Sequence, residues 1–157
     1  MIDSKALRGL NKKLAKIGRD LAKQVDEFPD AITKTLTIGA NDIRNTILRS
    51  MRNTKRASYY YTSGKTKVRH RPSLPYNPPA IDTGELARSI MYDTEYMQVE
   101  IGTYGGAPYG KYLETGTKRM KPRPWLQPAV EEHQDDIIKR IGIVGFNAVT
   151  EPFDRNL

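Results

Sequence analysis

Between Leu7 and Phe28 the apolar positions are Leu7, Leu10, Leu14, Ile17, Leu21, Val25 and Phe28, spaced three, four, three, four, four and three. That spacing draws one stripe along a helix, with Lys12, Lys13, Lys16, Arg19, Asp20 and Lys23 off it. Asp3 or Ser4 supplies a cap, and Pro29, which has no N–H to donate, is predicted to stop the helix. The stripe suits a helix lying on the chain's own core. Its near-heptad spacing also suits packing between subunits. Asp30 caps a second helix, with Ile32, Leu36, Ala40, Ile43, Ile47 and Met51 on one face. Gly39 weakens that helix by about 1 kcal/mol relative to alanine, so it marks a bend or a close approach. The pair reads as a hairpin or one bent helix, with the break favoured at residues 28–30.

The pattern changes from Asn53 to Ala80. Arg56 to Arg71 is polar, basic and aromatic, and Pro72, Pro75, Pro78 and Pro79 then interrupt regular structure. Residues 58–61 and 65–71 can pair as a hairpin about Ser63-Gly64. The segment is an extended arm or hairpin, of a length more often functional than passive.

Beyond it, Asp82 or Thr83 caps a short helix at Gly84-Glu85-Leu86. Residues 88–92 and 97–103 alternate as strands joined by Thr94-Glu95-Tyr96. Tyr109 to Leu113 reads as a short helix ended by Gly116-Thr117. Residues 119–126 suit an extended edge strand. Leu126, Val130, Ile137, Ile141, Val144 and Ala148 then describe a final helix, with Pro128 in its first turn and Glu131, Glu132, Asp135 and Asp136 in its N-terminal half. Glu151 to Leu157 reads as a frayed tail. The expected fold is α+β and one domain over residues 1–157: two N-terminal helices and a long C-terminal helix on a small antiparallel sheet, with the basic arm at about 53–80.

Composition adds one fact of consequence. The net charge is +8, yet no acid lies between Asp42 and Asp82, an interval holding nine of the 26 bases. The remaining 26 − 9 = 17 bases face 18 acids, a net of −1. A nearly neutral body therefore carries one strongly basic segment, and a localised positive field implies a polyanionic partner, nucleic acid or an acidic protein face. Arg49, Arg52, Lys55, Arg56, Lys65, Lys67, Arg69 and Arg71 interleave with Tyr59, Tyr60 and Tyr61. Cations that neutralise phosphates beside rings that stack are what a nucleic-acid surface needs. An assembly arm, a DNA-lining surface and an ordinary loop remain open readings. With no cysteine there is neither a disulfide framework nor a thiolate metal site, which fits a cytosolic product. No apolar run is long enough to span a membrane, and the N-terminus lacks a signal-peptide core.

No constellation suggests an enzyme, a metal or a cofactor. His70 and His133 lie far apart, neither at ligand spacing from a second donor. Gly102 to Gly106 has no Gly-Lys-Ser/Thr after it and is no phosphate loop. Tyr109, Tyr112 and Trp125 suit a core or an interface. Glu114, near Lys118, Arg119 and Arg123, reads as an ion-pair member, internal or across a subunit boundary.

Tyr109-x-Lys111-Tyr112-x-Glu114-x-Gly116-Thr117, followed by Arg123-Pro124-Trp125-Leu126-x-Pro128-Ala129, resembles a family of small head–tail joining proteins of tailed bacteriophages, called neck, connector or tail-completion proteins. Thr83-Gly84-x-Leu86, continuing to Ser89-Ile90, is similar to a second stretch of that family. The resemblance spans roughly Pro79 to Val130. It implies a structural virion protein of the neck, assembled in the host cytoplasm into a ring of self-copies, expected to be a hexamer. Its partners would be neighbouring head-completion or connector proteins, tail-terminator or tail-tube proteins, and the double-stranded DNA in the lumen. The proline-stiffened segment around Trp125 would serve docking, and a ring needs complementary faces. The basic clusters at 49–71 and 118–123 against the acids at 131–136 offer them. The alternative is a free nucleic-acid-binding protein using the arm.

Overall fold

The computed structural model describes the backbone of residues 4–62 and 69–154 and, within it, the side chains other than those of residues 4–11, 13, 24, 149 and 151–154. The fold is α+β. A long helix α1 (Ser4–Arg52) is followed by a short hairpin of β1 (Tyr61–Thr62) and β2 (Arg69–His70). Next come α2 (Glu85–Ser89), the antiparallel pair β3 (Ile90–Glu95) and β4 (Gln98–Thr103), α3 (Gly110–Thr115) and α4 (Gln127–Asp154).

The two expected N-terminal helices are one. Pro29 lies inside α1 and does not end it. The missing hydrogen bond and the ring clash cost about 3 kcal/mol, but packing on either side of the proline offsets them. Phe28 lies over Gly145 of α4, and three turns later Ile137 of α4 presses on Gly39. The threonines after the proline are tied back along the helix, with Thr33 Oγ1 donating to the Pro29 carbonyl at 2.8 Å and Thr37 Oγ1 to that of Thr33 at 2.8 Å. Gly39 marks the close approach: a Cβ there would sit 2.6 Å from both Cγ1 and Cδ1 of Ile137.

α4 runs antiparallel to α1. Thr46 bonds His133 at 2.8 Å, Asp42 meets Arg140 at 3.6 Å, and the Phe28–Gly145 contact follows further along. β3 and β4 pair from Ile90↔Thr103 to Glu95↔Gln98, with Tyr96 and Met97 as the turn, one residue later than expected. Met97 holds φ 54, a left-handed conformation uncommon for a side-chain-bearing residue, and its N–H donates to Thr33 Oγ1 of α1 at 2.9 Å. Arg44 Nε of α1 donates to the Ile90 carbonyl at 2.8 Å. The core is Ile43, Ile47 and Met51 of α1 with Leu86, Ile90, Ala107, Trp125 and Ala129.

The expected third strand at 119–126 is absent. One bridge, Thr117↔Met120, closes a turn there, and Pro122 and Pro124 keep the segment from offering a ladder of donors. Gly116 at φ 75 makes the turn possible, since a Cβ would lie 2.8 Å from the Met120 carbonyl oxygen. The expected tail is helical through Asp154. No described helix is long and apolar enough to cross a membrane.

Candidate functional site

Two structural features converge where α1 ends. The first is the root of the basic arm. Arg56 bridges Ser73, the Ala57 N–H donates to the Pro72 carbonyl at 2.8 Å, and Leu74 N–H to that of Lys55 at 2.9 Å. Ala57 and Ser73 are buried, so the base of the arm is part of the body. The hairpin above it pairs Tyr61 with His70, and both residues of that pair reach one carboxylate. Tyr61 Oη donates to Asp82 Oδ2 at 2.8 Å, His70 Nε2 contacts Asp82 Oδ1, and the Tyr61 and His70 rings lie tilted 5.9 Å apart. Asp82 pins the hairpin to the body. Withdrawal from water, then the bond to Asp82 and its negative charge, push the Tyr61 phenol up to about 12. Tyr61 thus remains a donor across the physiological range.

The arm presents its charge outward. Arg49, Arg52, Lys55, Arg56, Arg69 and Arg71 are exposed, with Tyr59, Tyr60 and Tyr61 among them. None of the six cations forms an ion pair among the described residues. The guanidiniums of Arg69 and Arg71 sit 4.8 and 5.8 Å from the centre of the Tyr60 ring. Arg71 Nε also donates to the Ala57 carbonyl at 2.9 Å, which fixes it at the root. Arg49 and Arg52 occupy the last turn of α1, where cations complement the helix dipole. Lys65 and Lys67 lie outside the described residues. Arg44 is turned inward to β3 and leaves the basic face.

The second feature is a cleft of about 530 Å³ below the hairpin, lined by Tyr61, Asp82, Glu85, Leu86, Tyr109 and Arg123 among others. The polar groups named here are each held by a partner within the chain. Tyr109 Oη donates to Glu85 Oε2 at 3.5 Å, and removal from water, then the charge of Glu85, raise its pKa. Arg123 donates through Nε and Nη2 to the Ser73 carbonyl at 3.3 Å. Ser73 Oγ is buried and finds no partner among the described residues, so it offers a substrate no accessible nucleophile.

The segment expected to dock is turned inward. Trp125 is 4% exposed and its Nε1–H donates to the Gly110 carbonyl at 3.0 Å. Glu114 forms no ion pair within the chain among the described residues. Its carboxylate accepts the backbone N–H groups of Trp125 at 2.7 Å, Leu126 at 3.0 Å and Gln127 at 3.0 Å, capping α4 from eleven or more residues away. Those donors have no partner in the helix, and a carboxylate at a helix N-terminus also meets the favourable end of its dipole. Leu126 packs half-buried against the core, Pro124 is half-buried, and Pro128 sits exposed in the first turn of α4. Thr117 closes the turn to Met120, and Tyr112 is exposed. Upstream, Leu86 is buried. Gly84 takes φ 78 in place of the expected Asp82 or Thr83 cap, and Thr83 Oγ1 accepts the Glu85 N–H at 3.3 Å.

Sequence reasoning took Asp82 only as a helix cap and missed the role of Glu114, although both left a signal. Asp82 is the first acid after the acid-free interval. Leu126 occupies the place where α4 needs a polar cap, so an acceptor had to come from elsewhere. Comparison with protein-family models, curated proteins and solved structures returns no match to this chain.

Proposed function

We propose that this protein is a structural component of a phage neck, forming a ring that joins head connector to tail, with its basic arm toward the DNA that passes through. One observation carries the arm's role: six exposed cations without an ion pair among the described residues run from the end of α1 to the hairpin, two of them over Tyr60, and the hairpin is pinned to a nearly neutral body. Such a face neutralises phosphates without reading bases, which is what a passage for any DNA sequence requires. The placement in a neck rests on the resemblance of residues 79–130 to head–tail joining proteins. Within that stretch Trp125, Glu114 and Gly116 hold α3, the turn and α4 together, the kind of work that keeps a motif's spacing.

An antibody against this protein should label the head–tail junction of tailed particles from a producing culture; label on the tail tip or only in the particle-free fraction removes the reading. A free nucleic-acid-binding protein is the second reading, favoured by the same cations. It requires duplex affinity from the isolated chain that falls steeply with salt. The neck reading expects weak duplex binding until subunits assemble.

A further inference from the structure

The arm's hairpin has two unlike faces. Tyr61 stands directly opposite His70, and Thr62 opposite Arg69. Opposed residues share a face of a ribbon, and successive residues alternate between faces. Tyr61 and His70 therefore point one way, and Tyr60, Thr62, Arg69 and Arg71 the other. Ring geometry agrees: Tyr61 and His70 lie 5.9 Å apart, and the Arg69 and Arg71 guanidiniums lie 4.8 and 5.8 Å from the centre of the Tyr60 ring. The first face is turned to the body, where Tyr61 Oη donates to Asp82 Oδ2 at 2.8 Å and His70 Nε2 meets Asp82 Oδ1. The second is turned to solvent, with Tyr60 52% exposed and both arginines exposed.

A ribbon this short does not hold its own shape. β1 and β2 have 2 residues each, and a lone two-stranded hairpin is marginal in water at best. The root fixes Arg71, whose Nε donates to the Ala57 carbonyl at 2.9 Å, but it does not reach Arg69. Among the described residues, the polar side-chain contacts that tie β1 and β2 to the chain beyond the arm both end on Asp82. A clamp on one face thus sets where the other face points. The clamp is an acid, and an acid beside a phosphate-binding surface repels the ligand. Electrostatics alone therefore predicts tighter DNA binding when Asp82 is removed.

We propose that the backbone of duplex DNA is met by the outward face of the hairpin, Tyr60 with Arg69 and Arg71 as one unit, and that Asp82 is its positioning residue, acting through Tyr61 and His70. Attraction to the ring holds the two guanidiniums near each other against their mutual repulsion. With Arg69 over the ring, the unit offers charge to phosphates rather than a bare ring to bases. A clamped hairpin meets the phosphates already ordered, whereas a released one must be ordered on binding, at a cost in affinity. This rests on the arm's DNA role in the reading above, and it names the face that makes contact and the residue that aims it.

The test is binding of a short labelled duplex by the full chain, read by fluorescence anisotropy at low ionic strength, where phosphate contacts are strongest. Asp82→Ala and Asp82→Asn carry the same charge, but only the amide keeps an acceptor for the Tyr61 hydroxyl and a polar partner for His70. Asp82→Asn should bind at least as tightly as the parent. Asp82→Ala should bind about fivefold or more weakly than Asp82→Asn. Its plot of log K against log salt should be shallower by about 1–2, the loss of one or two phosphate contacts, as should that of Arg69→Ala with Arg71→Ala. A smaller folded fraction lowers affinity without moving that slope, so the slope separates aiming from stability. Should Asp82→Ala melt below the assay temperature, Tyr61→Phe, which keeps every charge, takes its place and should bind about twofold or more weakly than the parent. Equal affinity and slope for the two Asp82 variants, or for Tyr61→Phe and the parent in that case, overturns the positioning role and leaves a diffuse basic arm. Binding indifferent to the loss of Arg69 and Arg71 overturns the contact face. A parent that binds no duplex at low salt overturns this inference together with the arm's DNA role, and placement in a neck then depends on the junction labelling alone.

Discussion

The two ends of α1 share one apolar period and little else. At the C-terminal end Ile43, Ile47 and Met51 are buried under α4, α2 and β3, and the arm's root, the Glu114 cap and the Asp82 latch gather around them. At the N-terminal end Leu14 and Val25 repeat the period toward solvent. An amphipathic stripe therefore announces that something covers it without saying that the cover belongs to the same chain.

The sharpest way to break this comparison is to truncate one aliphatic at each end. Ile47→Ala should cost about 2–5 kcal/mol in chemical denaturation, because Ile47 is fully buried and leaves a cavity. Val25→Ala, at a dilution that keeps the chain monomeric, should stay within about 0.5 kcal/mol. Equal losses would mean that the N-terminal end has a cover within the chain. Next in size is Glu114→Ala, which strands three backbone donors and should cost about 2–3 kcal/mol in the same assay. Glu114→Gln retains an acceptor and should recover part of the loss. A lost salt bridge alone would cost far less.

The glycines sharpen the contrast further. Gly39→Ala should destabilise by about 1 kcal/mol net, since overpacking against Ile137 exceeds the gain in helix propensity, and Ile137→Ala, which removes both Cγ1 and Cδ1, should relieve the overlap. Gly18 has nothing within 4 Å of an added Cβ, so Gly18→Ala should raise stability by about 0.5–1 kcal/mol. The smallest effect is at the latch. The Tyr61 pKa is raised by the fold, so its contribution is whole below pH 10 and fades between pH 10 and about 12. In an ultraviolet phenolate titration Tyr61 should ionise later than an ordinary phenol, and Asp82→Asn should bring it earlier.

Much of the fold was legible. The periods at 32–51 and 130–148 marked helices, the alternation around Val99 and Ile101 marked a strand, and the acid-free interval marked the arm. Period and charge are properties of neighbours along the chain, so the chain alone settles them. Pro29 misled because its local penalty is of the size that packing of Phe28 and Gly39 on α4 can offset, and those contacts join residues about a hundred positions apart. Glu114 was read as one charge among several, because nothing local says which distant helix lacks a cap. By itself the sequence determined which faces are apolar, where the charge collects and which turns need glycine. Only the tertiary structure decided that Trp125 fills the core, that one carboxylate holds α4 and another holds the arm, and that Leu14 and Val25 of one stripe face solvent. Each of those depends on which distant surfaces come within a few ångströms, and that is set by folding as a whole.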